Sequence, residues 1–427
     1  MFYKGFYMNR KGISTALGLV HPITLSHGKN AEVWDTDGKH YIDFVGGIGV
    51  LNLGHCHPVI VQAIQEQATK MTHYAFNAAE HEPYKKFMAE LVDFIPMSGE
   101  LAGMLTNCGA ESTENALKIA RIKTGRTGVI AFDGGFHGRT LATVNLNGKV
   151  NPYKQGLGNL PGPVYHIPFP SKDNGISKET AVAALERLTQ IEVDINTIAA
   201  IIVEPVLGEG GFQLLDIDFA KYLRDFCHKH GIILIFDEIQ SGFGRTGKPF
   251  AFLHLGIEPD LLLLAKSIAG GMPLGAVIGK TDLVNYPPVG SLGGTFSGNP
   301  IACAAASATL SIMQSEPFLS SSKHYEETIE KTYHQWKEQN ITPWLGRLTG
   351  VGAMRGIELY HPEFGAGSAL LSKILVTARE RGLLLMPSGK SRHIIRLLTP
   401  LTIEPEILEK GLTILSDILK EYADFKI

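Results

Sequence analysis

Lys266 is the residue whose surroundings most need a chemical explanation. It follows the apolar run "LLLLA" (261–265) and precedes the glycine-rich turn "GGMPLG" (270–275). Lysine is among the side chains least often found fully inside a protein. Either the chain leaves the core here and the ammonium snorkels to water, or an amine is held at the end of a buried segment. Two other apolar runs end in comparable fashion, "AAIIV" (199–203) at Glu204 and "GIILIF" (231–236) at Asp237. In open parallel sheets, ligands bind beyond the carboxyl ends of the strands. A lysine desolvated at such an edge gives up its proton more readily and becomes a nucleophile. An aspartate beside it could hold a cationic ring nitrogen. A Schiff-base lysine with an aspartate on a pyridinium nitrogen is what a protein contributes to pyridoxal-phosphate chemistry. Taken singly, each residue has a plainer reading, Lys266 as a solvated strand exit and Asp237 as a cap or turn former.

That cofactor would also need an anion site, and "TNCGAESTENALKIAR" (106–121) offers one. Gly109 lets the backbone approach a ligand closely, and a helix begins at once. The free N–H groups and positive dipole end of a helix start bind phosphate well. A simple helix entry with Glu111 and Glu114 in its first turns is the alternative. A competing motif is "GFGRTG" (242–247), which matches G-x-G-x-x-G and follows a strand. A dinucleotide site needs those glycines directly after the strand and opening a helix. Here "DEIQS" intervenes and "KPFAF" follows, so a nicotinamide-dependent dehydrogenase is the weaker alternative, as is a non-catalytic scaffold. "GHCHP" (54–58) and "FCHKHG" (226–231) bring His and Cys together without the paired spacing of a zinc site, so no metal site is expected.

The elements that must position these residues alternate between strand and helix. Residues 58–73 have helical apolar spacing after a well-placed proline, and residues 111–122 form a second helix. Short runs without alternation follow at 128–132, 199–205, 231–237, 261–265 and 275–279, as expected of strands covered on both faces. A helix over 216–229 lies between two of them. This is the pattern of a doubly wound, parallel α/β sheet. From about residue 317 the pattern changes to a long helix (317–340), strand-like "GVGAMRGIEL" (350–359), a helix (367–382), "HIIRLLTP" (393–400) and a last helix from Glu404, which suggests a smaller α+β domain. "AEVWDTDGKHYIDFVGG" (31–47) reads as a hairpin turning at Asp37-Gly38 that packs on that domain. The expected division is an N-terminal segment (1–57), a large domain (58–315) and a small domain (316–427).

The chain has 427 residues, 44% hydrophobic and 19% charged, ordinary for a soluble protein with a sizeable core. A net charge of −3 gives no sign of a nucleic-acid partner. The basic cluster Arg121, Lys123 and Arg126 closes a helix, where cations suit the dipole. Four cysteines, Cys56, Cys108, Cys227 and Cys303, do not make a disulfide framework. The start "MFYKGFYMNRKGIST" has no apolar core of a secretory signal, and no apolar stretch approaches the ~20 residues of a membrane span. A reducing, cytoplasmic setting without a membrane partner is expected.

The motifs "LLLLAKSIAGGMPLGAVIG", "IFDEIQSGFGRTG", "NCGAESTENALKIAR", "FHGRT" and "GGTFSGNPIACAAA" together resemble the class III (ω-) aminotransferases in order and separation. The resemblance runs from about residue 20 to the C-terminus. Within that class, "VWDTDGKHYIDFVGGIGVLNLGHCHP", "LNGKVNPYKQGLG", "VEPVLGEGGF" and "RLLTPLTIE" look most like bacterial 4-aminobutyrate aminotransferases. The resemblance implies a fold-type I pyridoxal 5'-phosphate enzyme with a mainly parallel, seven-stranded sheet. It implies that Lys266 bonds the cofactor and shuttles a proton, while Asp237 keeps the pyridine nitrogen protonated. Gln240 would reach the ring hydroxyl, Phe136 and Ile239 would sandwich the ring, and His137 would belong to the same cofactor site. Gly109 and Ala110 would offer N–H groups to the phosphate, with Ala110 standing where many relatives have serine. Thr295 would reach the phosphate from a neighbouring subunit, which implies a homodimer, with a tetramer left open.

For substrates the resemblance implies an ω-amino acid donor, most readily 4-aminobutyrate, and 2-oxoglutarate as acceptor, giving succinate semialdehyde and glutamate by a ping-pong route. Arg139 would bind the distal carboxylate and Arg396 the α-carboxylate, each bidentately. With no α-carboxylate bound, Glu209 would neutralise Arg396. Ile48 would form an apolar wall, and Asn77, where the closest relatives carry glutamine, would lie nearby. Ornithine, acetylornithine, 5-aminovalerate and β-alanine aminotransferases are the alternatives, together with an aminomutase of the glutamate-semialdehyde type. Ile48 offers nothing to a second amine, and an aminomutase needs no exchange with 2-oxoglutarate.

Overall fold

The computed structural model describes residues 10–426. The reading of the first nine residues as free of a signal lies outside the described residues. Seven strands form the central sheet: β1 (Leu101–Thr106), β2 (Gly128–Phe132), β3 (Val164–Ile167), β4 (Ile198–Val203), β5 (Ile233–Asp237), β6 (Leu261–Leu264) and β7 (Gly275–Lys280). Their order is β1-β7-β6-β5-β4-β2-β3. β7 runs antiparallel to both of its neighbours, while β6, β5, β4, β2 and β3 are parallel. Leu261, Leu262, Leu263 and Leu264 are all fully buried. Leu262 and Leu264 enter one hydrophobic cluster and Leu261 and Leu263 another, so no side is left for polar residues and the run has no alternation. Each buried leucine contributes about 2 kcal/mol of apolar transfer.

The sequence expectation missed β1 and β3 and the helix α1 (Glu82–Phe94). β1 is only half-buried along its first four residues, which blurs the apolar-run signal. The helices Lys178–Arg187 and Pro300–Met313 were also not expected, and the run expected as one strand over 350–359 is an antiparallel pair, Leu345–Val351 with Met354–His361. The helix Ile217–His230 starts at Asp216, whose carboxylate accepts from Phe219 N at 2.8 Å, and stops at Gly231 with φ 62°.

The expected N-terminal hairpin is present: Glu32–Asp35 pairs antiparallel with His40–Asp43, and Asp35 Oδ1 accepts from the N–H groups of Asp37 and Lys39 across the turn. The short strand Leu383–Leu384 joins His40–Asp43 in parallel, so the N-terminal hairpin and the C-terminal region share one sheet. A second C-terminal sheet carries Arg396, with Ile394–Leu397 between Met386–Ser388 and Met354–His361. No helix among the described residues is long and apolar enough to cross a membrane.

"GFGRTG" serves the junction of these parts. Arg245 is fully buried, and its guanidinium donates to Asn52 Oδ1 (3.1 and 2.5 Å), to Thr399 O (2.9 Å) and to Ala353 O (3.4 Å). It ties the N-terminal segment and two C-terminal segments to the residues that follow β5. Burial without a carboxylate partner pushes its pKa down to about 10.

Candidate active site

A cleft of about 690 Å³ opens beyond the carboxyl ends of β4, β5 and β6. It is lined by Lys266, Asp237, Gln240, Glu204, Phe136 and Arg396, among others. Asp237 is the last residue of β5 and lies opposite Leu263 of β6, three positions before Lys266. The two chemical groups therefore leave adjacent strands at the same edge.

Lys266 has φ 48°, in the left-handed region that lysine rarely adopts. Its neighbour Ser267 donates to Gly49 O at 3.0 Å, which fastens this turn to the loop 46–49. Ile48 in that loop also has a positive φ, 67°, an outlier for a β-branched residue. Gln240 Nε2 donates to Ile48 O at 3.2 Å. Strained residues held by surrounding contacts cluster at functional sites, and here two of them share one cleft. Burial pushes the Lys266 amine down to about 8, partly opposed by the nearby carboxylates of Glu204 and Asp237.

Asp237 is buried and fully engaged. Its Oδ1 accepts from Ile239 N at 3.1 Å, and Oδ2 is 2.7 Å from Nδ1 of the buried His137. Burial alone would lower the His137 pKa, but the hydrogen bond to Asp237 and the charges of Asp237 and Glu204 raise it. His137 thus acts behind Asp237, holding the carboxylate in place. Glu204, legible in the sequence only as a strand-end acid, accepts from Phe136 N (2.8 Å) and Gly208 N (2.9 Å). Burial raises its pKa to about 7.

The helix Gly109–Thr124 points its N-terminus into the cleft, with Cys108 providing no side-chain cap. Glu111 folds back to accept from Asn107 N at 2.9 Å. The N–H groups of the first turn have no acceptor within the helix, and Gly109 and Ala110 line the cleft. A Cβ on Gly109 would sit 2.7 Å from Ile239 Cδ1, so any larger residue here would push that side chain aside.

Arg396 is buried and ion-paired through Nη2 with Glu209 Oε1, while its Nε donates to Pro387 O at 2.9 Å. Burial would raise the Glu209 carboxyl, but the charge of Arg396 and hydrogen bonds from Arg396 and Tyr153 hold it low. Arg139 is exposed at the mouth, over the rings of Tyr153 (5.0 Å) and Phe136 (6.0 Å). It has no carboxylate partner among the described residues. Tyr153, which the sequence reading did not single out, donates to Glu209 Oε2 at 3.1 Å. Its only signal was its place inside "GKVNPYKQG".

Thr295 and Asn77 do not line this cleft. Thr295 is exposed, and Asn77 faces a separate hollow of about 90 Å³ with Gly293 and Ser297. That hollow is separate from the cleft of the same chain.

The residues fit pyridoxal phosphate on the strength of groups left without partners. Gln240 Oε1 and Arg396 Nη1 are buried without a hydrogen-bond partner. Lys266 contributes an amine with no ion pair among the described residues, and the helix N-terminus is open to an anion. A doubly wound sheet with this lysine, aspartate and anion-ready helix at one edge defines a fold-type I pyridoxal-phosphate transferase. The chain belongs to the class-III aminotransferase family, whose model, Aminotransferase class-III, matches residues 16–419. It is 63% identical to the 2-aminoadipate transaminase of Pseudomonas putida, over 97% of this chain and 100% of that protein. It is 41% identical to the 4-aminobutyrate aminotransferase of Escherichia coli, over 96% of each chain. Among solved structures, taurine:2-oxoglutarate aminotransferase from Bifidobacterium kashiwanohense, in complex with PLP and glutamate, superposes with a TM-score of 0.88 at 27% identity, covering 97% of this chain and 96% of that one.

Proposed function

We propose that this aminotransferase exchanges amino groups between 2-aminoadipate and 2-oxoglutarate in a ping-pong cycle. The observation that carries the reading is the pair of guanidiniums in the cleft of Lys266: Arg396 buried at one end and Arg139 open at the other. Two guanidiniums, each able to grip a carboxylate bidentately, suit amino and oxo acids with a carboxylate at both ends. The choice of 2-aminoadipate rests on the similarity to the Pseudomonas putida enzyme over nearly the whole chain. Bound in the cleft, pyridoxal phosphate would supply the carbonyl and the electron sink that amino transfer needs.

Lys266 would hold the cofactor and then move a proton at the reacting carbon. Asp237, braced by His137, would keep the ring nitrogen protonated, and Gln240 would face the ring hydroxyl. Phe136 and Ile239 would cover the two ring faces. Gly109 and Ala110 would hold the phosphate. Ile48 would close the apolar side of the substrate chain. Thr295 and Asn77 would complete the cleft of a second copy in a homodimer; Phe296 and Val289, exposed on the same loop, fit a face that becomes covered. The division at residues 57 and 315 and a cytoplasmic setting belong to the same reading.

A second reading, 4-aminobutyrate as donor, is favoured by the Glu209–Arg396 pair. That donor has no α-carboxylate, so Arg396 needs a counter-ion from the protein. Half-reactions of the reconstituted enzyme, followed by cofactor absorbance, decide between the two. The expected order of kcat/KM is 2-aminoadipate and glutamate well above 4-aminobutyrate and 5-aminovalerate. The reverse order would establish the second reading, and inertness toward all four would overturn both.

A further inference from the structure

A third arginine lines the cleft of Lys266, and the roles given to Arg139 and Arg396 leave it unexplained. Arg392 stands on the turn between Met386–Ser388 and Ile394–Leu397, the strand of Arg396. Of the two cations on this turn, Lys390 and Arg392, only Arg392 lines the cleft. It is exposed, and its guanidinium makes no ion pair among the described residues. Its backbone is fixed all the same. Arg392 N–H donates to Gly389 O at 3.0 Å, and Gly389 N–H donates in turn to Glu209 O at 3.0 Å. A Cβ on Gly211 would lie 3.4 Å from Gly389 Cα, so the turn packs against the segment of Glu209. Arg392 has φ 55°, in the left-handed region that arginine rarely adopts. It joins Ile48 and Lys266 as a third such residue in the cleft wall, and conformations of this kind gather at ligand sites.

We propose that Arg392 is a further substrate-binding residue, which selects amino acids bearing an α-carboxylate by holding that group together with Arg396. Its place in the fold gives the end of the substrate it serves. The turn of Arg392 is hydrogen-bonded to the backbone of Glu209, and the Glu209 side chain pairs with Arg396. Arg139 lies on a different segment, over the rings of Phe136 and Tyr153. Glu209 makes its ion pair with Arg396 and none with Arg392, so this end of the cleft has a guanidinium to spare. An α-carboxylate arriving at Arg396 competes with a carboxylate the protein already supplies. Arg392 adds an attraction that Glu209 does not use, and its planar fork suits a carboxylate. In the empty cleft it stays hydrated, so it needs no counter-ion of its own. A donor without an α-carboxylate gains nothing from it.

This inference rests on the reading that amino acids with carboxylates at both ends are substrates. The test compares half-reactions of the reconstituted enzyme with L-2-aminoadipate and L-glutamate, which carry an α-carboxylate, and with 4-aminobutyrate, which does not. Arg392→Asn removes the charge and keeps a residue type that tolerates the left-handed backbone. It is expected to raise the KM for the two α-amino acids about fivefold, the scale of an exposed ion pair, with kcat and the KM for 4-aminobutyrate little changed. Arg392→Lys should restore most of the lost affinity. The gap between wild type and Arg392→Asn should narrow as salt is raised, because the guanidinium is exposed. An equal loss for all three donors would overturn the inference, since a merely structural turn does not distinguish them. So would no loss, a loss that lysine fails to restore, or a gap indifferent to salt. If Arg392→Asn does not fold, Arg392→Gly, which also relieves the backbone, takes its place. A wild type inert toward both α-amino acids would overturn the functional reading, and this selection with it. A wild type active on both but indifferent to the charge at residue 392 would overturn the selection alone.

Discussion

Replacing Lys266 with methionine should abolish transamination and at the same time stabilise the cofactor-free protein. Burial lowers the Lys266 amine from its ordinary value near 10.5 to about 8. At pH 7 both the folded and unfolded chains carry the ammonium, so the folded state bears the whole difference, about 3 kcal/mol at 1.36 kcal/mol per pH unit. Methionine keeps the length and removes the charge, leaving Glu204 and Asp237 to their backbone and His137 partners. With an unfolding entropy of roughly 2.1 cal/mol/K per residue over 427 residues, that gain corresponds to a rise in Tm of about 3 °C. Between pH 8 and 10.5 the unfolded lysine holds its proton while the folded one has released it, so the stability of the wild type rises with pH across that window. The advantage of Lys266→Met should thus be full below about pH 8 and gone by about pH 10.5. Calorimetry of both apoproteins across that range measures it. A variant no more stable than the wild type at pH 7, or a gap that does not close with pH, would refute the picture of a charge held against desolvation.

Glu209→Ala should slow the half-reaction with 4-aminobutyrate more than that with glutamate, since only the former leaves Arg396 in need of the carboxylate; equal losses, read from cofactor absorbance, would contradict that role. Ala110→Ser adds a hydroxyl at the helix N-terminus and should tighten pyridoxal-phosphate binding several-fold, the worth of roughly one net hydrogen bond, as measured by fluorescence titration. Arg139→Met should raise the KM for 2-oxoglutarate by about two orders of magnitude, the scale of a hydrogen-bonded charge pair, while leaving Tm unchanged, because Arg139 is exposed and unpaired among the described residues.

What could be read from the chain followed from how strongly a residue's surroundings mark its sequence. The run of leucines in β6 is legible because a strand buried on both faces leaves no alternation. Asp237 and Lys266 were legible as the polar ends of such runs. β1 was not, since its opening residues are half-buried and its company is mixed. The left-handed backbone at Ile48 and Lys266 leaves no trace in residue type; glycine would have marked it, and isoleucine hides it. Tyr153 escaped because its partner, Glu209, lies far along the chain, in the turn that follows β4. The G-x-G-x-x-G string misled for the opposite reason. Its glycines make turns packed against Glu238 O, Phe318 and Glu326, and the pattern alone does not distinguish that from a phosphate turn.

The two arginines proposed to hold substrate are not equivalent, and the difference explains why only one has a carboxylate of the protein for company. Arg139 stands in water at the mouth, where hydration satisfies its charge and a rim pair would add little. Arg396 lies within the sheet that closes the cleft, with one Nη atom already lacking a partner. Left alone it would be an uncompensated buried charge, at a cost of about 3–5 kcal/mol. An enzyme that empties its cleft twice per cycle must meet that cost in every empty state or supply an anion of its own. Glu209 is that anion, but on the proposed function it would yield to each arriving α-carboxylate, so its grip would be matched against the substrate's and not maximised. A carboxylate held by Arg396 on one oxygen and by a neutral tyrosine on the other is poised for such an exchange, because half of its bonding survives the switch.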